Sequence, residues 1–300
     1  MDGILNINKE VGMTSHDVVG RVRRLLKQKR VGHAGTLDPA AGGVLPICIG
    51  QGTRVAEYLS ESGKAYQAEI VFGIVTDTYD AEGAIIRQSD TTGLTLEMIE
   101  QALPAFLGPQ MQVPPRYSAI KIQGQAAYKR ARAGEEITLE PRPIEIYSLH
   151  VIAWLEQPPR LTLAIECSKG TYIRSLAHDL GERLGYGAHL AALLRTRSGP
   201  FTLEGSITLE QLAAASEQGT VSDYLFPIDY ALQHLPSLHL DAATVEGVLH
   251  GNPFHHQAQP STSVRSGTDF ARVYAPNGQF LAIAAWDGKH HIWQPKKVLA

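Results

Sequence analysis

The sequence predicts an α+β protein that ends in a small β-rich domain, and three observations support this fold class. Segments such as GILNIN (3–8) and YQAEIVFGIV (66–75) alternate apolar and polar residues, which is the period of a half-buried β-strand. Others, such as ITLEQLAAASEQG (207–219), place apolar residues at helical spacing before a glycine. Near residues 234–240 the helices give way to short β-type stretches separated by turns.

Residues 1–234 are predicted to form the first domain. Alternation predicts strands at 3–8, 66–75, 84–88, 144–153 and 160–167, and SKGTYIRS (168–175) reads as a further strand. Apolar spacing, capping residues and terminal glycines predict six helices. One begins at Thr14 or Ser15, two end at Gly134 and Gly185, and three cover residues 94–108, 188–195 and 207–219.

Residues 235–300 are predicted to form the second domain. They hold one short helix, AATVEGVLHG, and three β-type stretches, FARVYA, FLAIAAW and HHIWQ, with turns at PNGQ and DGK between them. This pattern is typical of a small β-rich domain. The polar segment QAQPSTSVRSGTD (257–269) is predicted to be a loop.

Composition limits the classes of protein to consider. With 300 residues and 44% hydrophobic residues the chain can build a sizeable core, and its net charge of −3 does not by itself indicate a nucleic-acid partner. The two cysteines, Cys48 and Cys167, lie in apolar surroundings, as in reduced intracellular proteins. No apolar run approaches ~18 residues, so no membrane span is expected and the cytoplasm is the expected location.

One carboxylate, Asp38, stands alone in the glycine-rich stretch VGHAGTLDPAAGGVLPICIG (31–50). It can be a helix N-cap before Pro39. A cap does not need Gly35, Gly42 and Gly43 around it, however, and these favour a backbone that a ligand approaches closely. Asp38 is therefore a candidate functional residue, kept dry by its apolar neighbours.

Tyr172 and Arg174 are candidates for the same site. On the predicted strand SKGTYIRS they point to the same face, where Arg174 can pair with a distant carboxylate and hold it ionised. The alternative is a surface arginine on a half-exposed strand.

Two basic segments predict a surface for a polyanion. RVRRLLKQKR (21–30) carries six cations in ten residues, and RYSAIKIQGQAAYKRAR (116–132) adds five more, interleaved with tyrosines. A single charge run is usually a solvated helix face, but two runs with aromatics in a slightly acidic chain favour nucleic acid.

Metal and nucleotide motifs are absent from the sequence. TDTYDAEG (76–83) lacks the ligand spacing of a calcium loop, and the spacing GxxxxGK[ST] does not occur. The pairs His255–His256 and His290–His291 are expected at the surface, because adjacent residues of a strand point to opposite faces.

Taken together, these motifs resemble the TruB family of tRNA pseudouridine synthases, which make pseudouridine 55 in the T arm. GHAGTLDPAAGGVLPICIG resembles the family signature. The segments GILNINKEVGMTSHDVV, KAYQAEIVFGIVTDTYDAEG, VPPRYSAIKIQGQAAYKRARAG and IECSKGTYIRSLAHDLGERLGYGAHLAALLRTRSGPF resemble other family motifs in the same order, over roughly residues 3–230. One departure is Glu10, where the family usually has proline. The tail resembles, more weakly, the PUA domain.

The resemblance implies a mixed, mainly antiparallel sheet with flanking helices, plus a PUA-like RNA-binding domain. It also implies a role for each matching residue. Asp38 falls on the essential aspartate, Arg174 on its arginine partner and Tyr66 on the tyrosine that packs on the target base. Four further positions fall on residues in or near the pocket: Tyr172, Leu193, His33, whose counterpart fills the space left by a flipped base, and Lys9.

The implied reaction breaks and re-forms one glycosidic bond, so no cofactor and no metal are expected. The implied partner is the T arm of tRNA, with no protein partner, and the chain is expected to be a monomer. Two alternatives stay open. A glycosidase would need a second carboxylate in the pocket, and the motif regions offer no obvious one. A non-catalytic RNA-binding or RNA-folding protein would use the same basic faces.

Overall fold

A computed structural model describes residues 1–118, 121–122, 125–126, 130, 135, 139–257 and 269–299. The strands are β1 (Gly3–Lys9), β2 (Val31–His33), β3 (Ala41–Ile49), β4 (Lys64–Phe72), β5 (Ile74–Thr76), β6 (Ile85–Gln88), β7 (Gly108–Gln112), β8 (Lys121–Ile122), β9 (Gln125–Ala126), β10 (Arg142–Leu155), β11 (Arg160–Cys167), β12 (Ala188–Ser198), β13 (Phe201–Thr202), β14 (Leu225–Phe226), β15 (Ser237–His239), β16 (Phe270–Tyr274), β17 (Phe280–Asp287) and β18 (Ile292–Val298). The helices are α1 (Ser15–Leu26), α2 (Ala56–Ser60), α3 (Leu96–Ala102), α4 (Ile173–Leu184), α5 (Leu209–Gln218) and α6 (Ala242–Leu249).

One large sheet organises the first part of the chain. Its strands follow the order β14-β1-β3-β12-β4-β11-β10-β7, with β2 and β13 paired at its side, to give ten strands. Only β3 and β12 pair in parallel among these described strands. The sheet is therefore mixed and mainly antiparallel, and the α+β fold class is confirmed.

The helices pack on this sheet as their sequences predict. Thr14 caps α1 through a capping box with Asp17, and Val18, Val19 and Val22 are buried in the main core. Helices α4 and α5 end at Gly185 and Gly219, both in the left-handed conformation. None of the described helices is long and apolar enough to cross a membrane.

A four-stranded sheet in the order β15-β16-β17-β18 forms the strand-rich C-terminal part, with α6 beside it. This arrangement is consistent with a PUA-like domain. It shares a core with the first part, since Ile283 and Leu299 lie in one buried cluster with Ile4 and Val55. The boundary between residues 234 and 235 stays a prediction.

Three expectations about secondary structure are wrong. Residues 188–195 are not a helix but belong to strand β12, which lies between β3 and β4. A short apolar run does not distinguish the two states, and here strand neighbours on both sides decide. The segment 94–108 is helical only to Ala102, and a 3-10 turn continues to Phe106. Residues 168–172 form no strand, because the polypeptide turns there into α4.

The predicted basic helix ending at Gly134 lies almost entirely outside the described residues, as does most of the predicted loop 257–269. His290 is exposed, as expected, but it lies in the turn between β17 and β18 and not in a strand. In that turn it pairs with Asp287. Cys48 and Cys167 are both buried and unpaired.

Candidate active site

A cavity of about 270 Å³ opens where the loop before β3 meets strands β4 and β12 and the start of α4. Its volume is close to the lower end of the roughly 300–1,000 Å³ typical of ligand pockets. Asp38, Tyr66, Tyr172, Arg174 and Leu193 all line this cavity. Five of the seven residues selected from the sequence therefore meet at one place.

Asp38 lies on a loop that the rest of the protein holds firmly. The Ser15 hydroxyl donates to the carbonyl oxygen of Leu37 and accepts from its N–H, at 3.0 and 2.8 Å. On the other side, the Gly12 N–H donates to the carbonyl oxygen of Pro39 at 2.8 Å. Both neighbours of Asp38 are thus fixed, so the backbone of Asp38 has little freedom to move away from the cavity.

The surroundings of Asp38 differ from two sequence-based interpretations. A strand, β3, follows Asp38 and not a helix, so Asp38 is no N-cap. Its side chain is also 46% exposed, so it is not kept dry by apolar neighbours. The carboxylate lies at the mouth of the cavity, where solvent and an ion pair both stabilise its charge.

That ion pair is with Arg174, whose Nη2 lies 2.9 Å from Oδ2 of Asp38. Arg174 is the second residue of α4, whereas Tyr172 precedes the helix, so the two do not share a strand face as expected. Gln112 fixes this turn, because its amide donates to the Tyr172 carbonyl and accepts from the Tyr172 N–H, at 3.0 and 2.8 Å.

Arg174 is itself buried, and both of its terminal nitrogens are engaged. Its Nη1 lies 3.3 Å from Oδ2 of Asp80, and its guanidinium also donates to the carbonyl oxygens of Thr78 and Tyr117, at 3.2 and 3.0 Å. The arginine therefore lies between two carboxylates, one half-exposed and one buried. Two acids and two carbonyls satisfy the buried charge.

Asp80 is a site residue that sequence reasoning missed. Its Oδ1 accepts from the Thr78 hydroxyl at 2.6 Å and from the Glu82 N–H at 3.1 Å. The turn TDTYDAEG holds three acids, and nothing in the pattern of residues distinguishes Asp80 from the other two. The tertiary contact with Arg174 is the only signal.

Two further cations line the cavity and were not selected from the sequence. Lys64 shares a face of β4 with Tyr66, and Arg195 lies directly opposite Tyr66 on β12. The signal for Lys64 was its position two residues before Tyr66 on a strand. Arg195 could not be found in this way, because its segment was predicted to be a helix.

Lys9 and His33 do not line the cavity. The Lys9 ammonium is buried and donates to the carbonyl oxygens of Glu10, Met13 and Pro39, so it holds the Asp38 loop from behind. Burial lowers the pKa of Lys9 to about 8, although Asp38 nearby raises it. Burial also lowers the pKa of His33, whose Nδ1 has no partner among the described residues.

Of the glycines around Asp38, Gly43 serves the packing of two strands, whereas Gly35 lines the cavity. Gly43 has φ +100° and lies against β12, where an added Cβ would overlap the backbone of Arg195. Gly35 has φ +90°, and its carbonyl accepts from Arg195. The strand pairing of β3 requires Gly43, because no side chain fits there.

A basic surface lies at the C-terminal end of α1. Its exposed cations form no ion pair with any described residue and comprise Arg23, Arg24, Lys27, Lys29 and Arg30. In the second basic segment Arg116 is exposed and Arg130 pairs with Glu135, while Tyr128, Lys129 and Arg132 lie outside the described residues. No group of acids, histidines and cysteines suited to a metal ion occurs in the described ranges.

Comparison with known proteins identifies the relatives of this chain. A model described as TruB family pseudouridylate synthase (N terminal domain) matches residues 23–173, and one described as tRNA pseudouridylate synthase B C-terminal domain matches residues 174–233. A protein named tRNA pseudouridine synthase B from Bacillus pumilus is 41% identical over 311 aligned positions, which cover 100% of this chain and 98% of that protein. A protein of the same name from Geobacter sulfurreducens is 46% identical over 253 residues, 84% of this chain and 83% of that protein.

Solved structures agree with this result. A chain of a Cbf5-Nop10-Gar1 complex has a TM-score of 0.79 at 27% identity, covering 99% of this chain and 85% of that one. A chain of an H/ACA ribonucleoprotein bound to a substrate RNA containing 2′-deoxyuridine has a TM-score of 0.74 at 25% identity, with the same coverage. Fold and site together define a pseudouridine synthase. The chain belongs to the TruB family of pseudouridylate synthases.

Proposed function

We propose that this protein converts uridine 55 in the T arm of tRNA into pseudouridine. The observation that carries the proposal is the Asp38–Arg174 ion pair at the mouth of a cavity that is lined by Tyr66. Relatives named tRNA pseudouridine synthase B match the chain over most of its length, which supports the substrate.

The hard step of the reaction is loss of the base from the anomeric carbon, because positive charge develops on the ribose. The Asp38 carboxylate stabilises that charge, either through a covalent bond to the sugar or by removing the C2′ proton. The ion pair with Arg174 holds the carboxylate at the cavity. No redox change or external energy is involved, and the protein needs no cofactor in this scheme.

The freed uracil must turn without escaping. The ring of Tyr66 stacks on it, a contact worth about 1–3 kcal/mol per base, while Leu193 and Tyr172 also line the cavity. Extruding the uridine from the RNA costs a few kcal/mol, and His33 fills the space that the base leaves. Lys9 supports the loop that carries Asp38 by donating to the carbonyl oxygen of Pro39.

RNA binding uses the basic surface of α1 and the C-terminal part. We propose that residues 1–234 are the catalytic domain and residues 235–300 an RNA-binding domain. The exposed cations of α1 neutralise tRNA phosphates, so affinity falls steeply with salt. In this proposal the protein works as a cytoplasmic monomer without a protein partner.

The alternative reaction, glycoside hydrolysis, requires a second carboxylate, and Asp80 is a candidate for it. Asp80 is poorly placed as a general acid, however, because Arg174, the Thr78 hydroxyl and the Glu82 N–H already occupy its oxygens. Hydrolysis would release free uracil, whereas isomerisation releases none. Measuring uracil alongside pseudouridine therefore separates the two reactions.

The decisive test uses an unmodified tRNA transcript and carbodiimide primer extension to map pseudouridine. We expect wild-type protein to modify position 55 and Asp38→Asn to lose the activity while it still binds tRNA, because phosphate contacts supply most of the affinity. No signal with wild type, or an undiminished signal with Asp38→Asn, would refute the proposal. Joint loss of activity and binding would favour a folding role for Asp38.

A further inference from the structure

Arg195 is a buried cation beside the cavity that the scheme above does not use. It lies on β12 with 1% of its surface exposed, and no described acid forms an ion pair with it. Removing a guanidinium from water is costly when no acid compensates. A residue that only fills space does not need this charge, so the charge calls for another explanation.

Backbone carbonyls hold the guanidinium in a single orientation. Nε donates to Val44 at 2.7 Å, Nη2 to Gly35 at 3.1 Å and Nη1 to Thr36 at 3.5 Å. Arginine has five N–H donors, so these three contacts leave two. The residue is thereby fixed with two donors free for a further partner.

Tyr66 is the candidate for that partner. Arg195 and Tyr66 are direct partners across β12 and β4, so their side chains project from the same face of the sheet. Both side chains also line the cavity. An N–H that donates to the phenol oxygen leaves the hydroxyl proton free to point into the cavity.

We propose that Arg195 is a positioning residue for Tyr66. Arg195 holds the phenol oxygen of Tyr66, and the charge of Arg195 favours negative charge on the Tyr66 ring and on the base stacked above it. The inference rests on the proposed function, in which the base is uracil. When the N1–C1′ bond breaks, its electron pair leaves with the uracil, which becomes anionic. A fixed cation on that side stabilises the anion with no reorganisation during the reaction.

The electrostatics of the neighbouring groups agree with this arrangement. Burial raises the pKa of the Tyr66 phenol, and Arg195 opposes that rise. Lys64, on the same face of β4, donates to the carbonyl oxygens of Ser60 and Ser62, and burial lowers its pKa to about 8. Two cations thus lie on the Tyr66 side of the cavity. They favour negative charge on the base, whereas the Asp38 carboxylate stabilises positive charge on the ribose.

A first experiment reads the contact without enzyme turnover. Protein labelled with 3-fluorotyrosine is titrated by ¹⁹F NMR, and the Tyr66 signal is assigned by its loss in Tyr66→Phe. We expect Arg195→Gln to raise the pKa of the Tyr66 phenol, because the opposing cation is gone, and Arg160→Gln, which removes a β11 arginine paired with Glu69, to leave it unchanged. An unchanged Tyr66 titration in folded Arg195→Gln would overturn the inference.

A second experiment measures function with a variant that keeps the charge. We expect Arg195→Lys to lower the single-turnover rate at least about tenfold, since losing one fixed donor costs about 10²–10³ in such sites, while the Kd for tRNA changes less than about threefold. A normal single-turnover rate for Arg195→Lys, or a loss of rate that weaker tRNA binding fully explains, would contradict the inference. If wild type makes no pseudouridine, the proposed function fails, and the NMR titration still decides whether Arg195 holds Tyr66.

Discussion

At the scale of single residues, the charges of the site converge on Arg174. It satisfies the carboxylates of Asp38 and Asp80 and the carbonyl oxygens of Thr78 and Tyr117 with one planar group. Lysine has three donors on a single nitrogen and cannot reach four acceptors that lie around a guanidinium plane. The geometry thus requires arginine and not merely a positive charge.

We therefore expect Arg174→Lys to lower the single-turnover rate at least about 100-fold, as for the loss of a transition-state contact. The physical reason is that Asp38 is no longer aimed at the cavity while Asp80 is left buried without its full partner. The rate is measured on an unmodified transcript, with Arg160→Lys as the control for an arginine in an exposed ion pair. Near-normal turnover would count against the assigned role.

At the scale of elements, the parallel pairing of β3 with β12 assembles the site. It places Gly43 beside Arg195 and Ala41 beside Leu193, so the loop that carries Asp38 reaches the cavity wall. Gly43 has φ +100° and no room for a Cβ. The pairing thus depends on one glycine, for steric as well as conformational reasons.

We expect Gly43→Ala to destabilise the protein by more than about 2 kcal/mol, because strain at a positive φ adds to a backbone clash. Urea unfolding followed by circular dichroism measures the change.

Gly20 provides the matched control. It lies within α1, where an added Cβ meets only the end of the Arg24 side chain, at 3.8 Å. Gly20→Ala is expected to stabilise by up to about 1 kcal/mol. Equal midpoints for Gly43→Ala and wild type would show that β3 can move aside.

At the scale of the whole molecule, the C-terminal sheet is joined to the large sheet by buried contacts. Ile283 is fully buried in one cluster with Ile4, Val44 and Val55. The Tyr274 hydroxyl donates to Asp229 at 2.7 Å, and Lys297 pairs with Glu57 at 3.0 Å. Deleting the C-terminal part would expose this cluster, so a deletion does not isolate its role in RNA binding.

The shared core predicts that the protein unfolds in one cooperative step. Ile283→Ala is expected to cost about 2–5 kcal/mol and to lower that single transition as a whole, which calorimetry measures. The control is Ile152→Ala on β10, where the side chain is half-exposed and the expected change is below about 1 kcal/mol. Two separate transitions, with only one shifted, would contradict the shared core.

The sequence by itself determined the α+β class, the capped helices α1 and α5, the β-rich tail and the presence of Asp38, Tyr66 and Arg174 at one site. Local periodicity and capping chemistry carry that information, and the ordered family motifs add the identity of the site. The tertiary structure decided that 188–198 is a strand, that Asp80 completes the ion pairs and that Asp38 is half-exposed. The reason is the range of the contacts. Arg195 bonds to Val44 across 151 positions of the chain, and no local pattern of residues encodes such a partner.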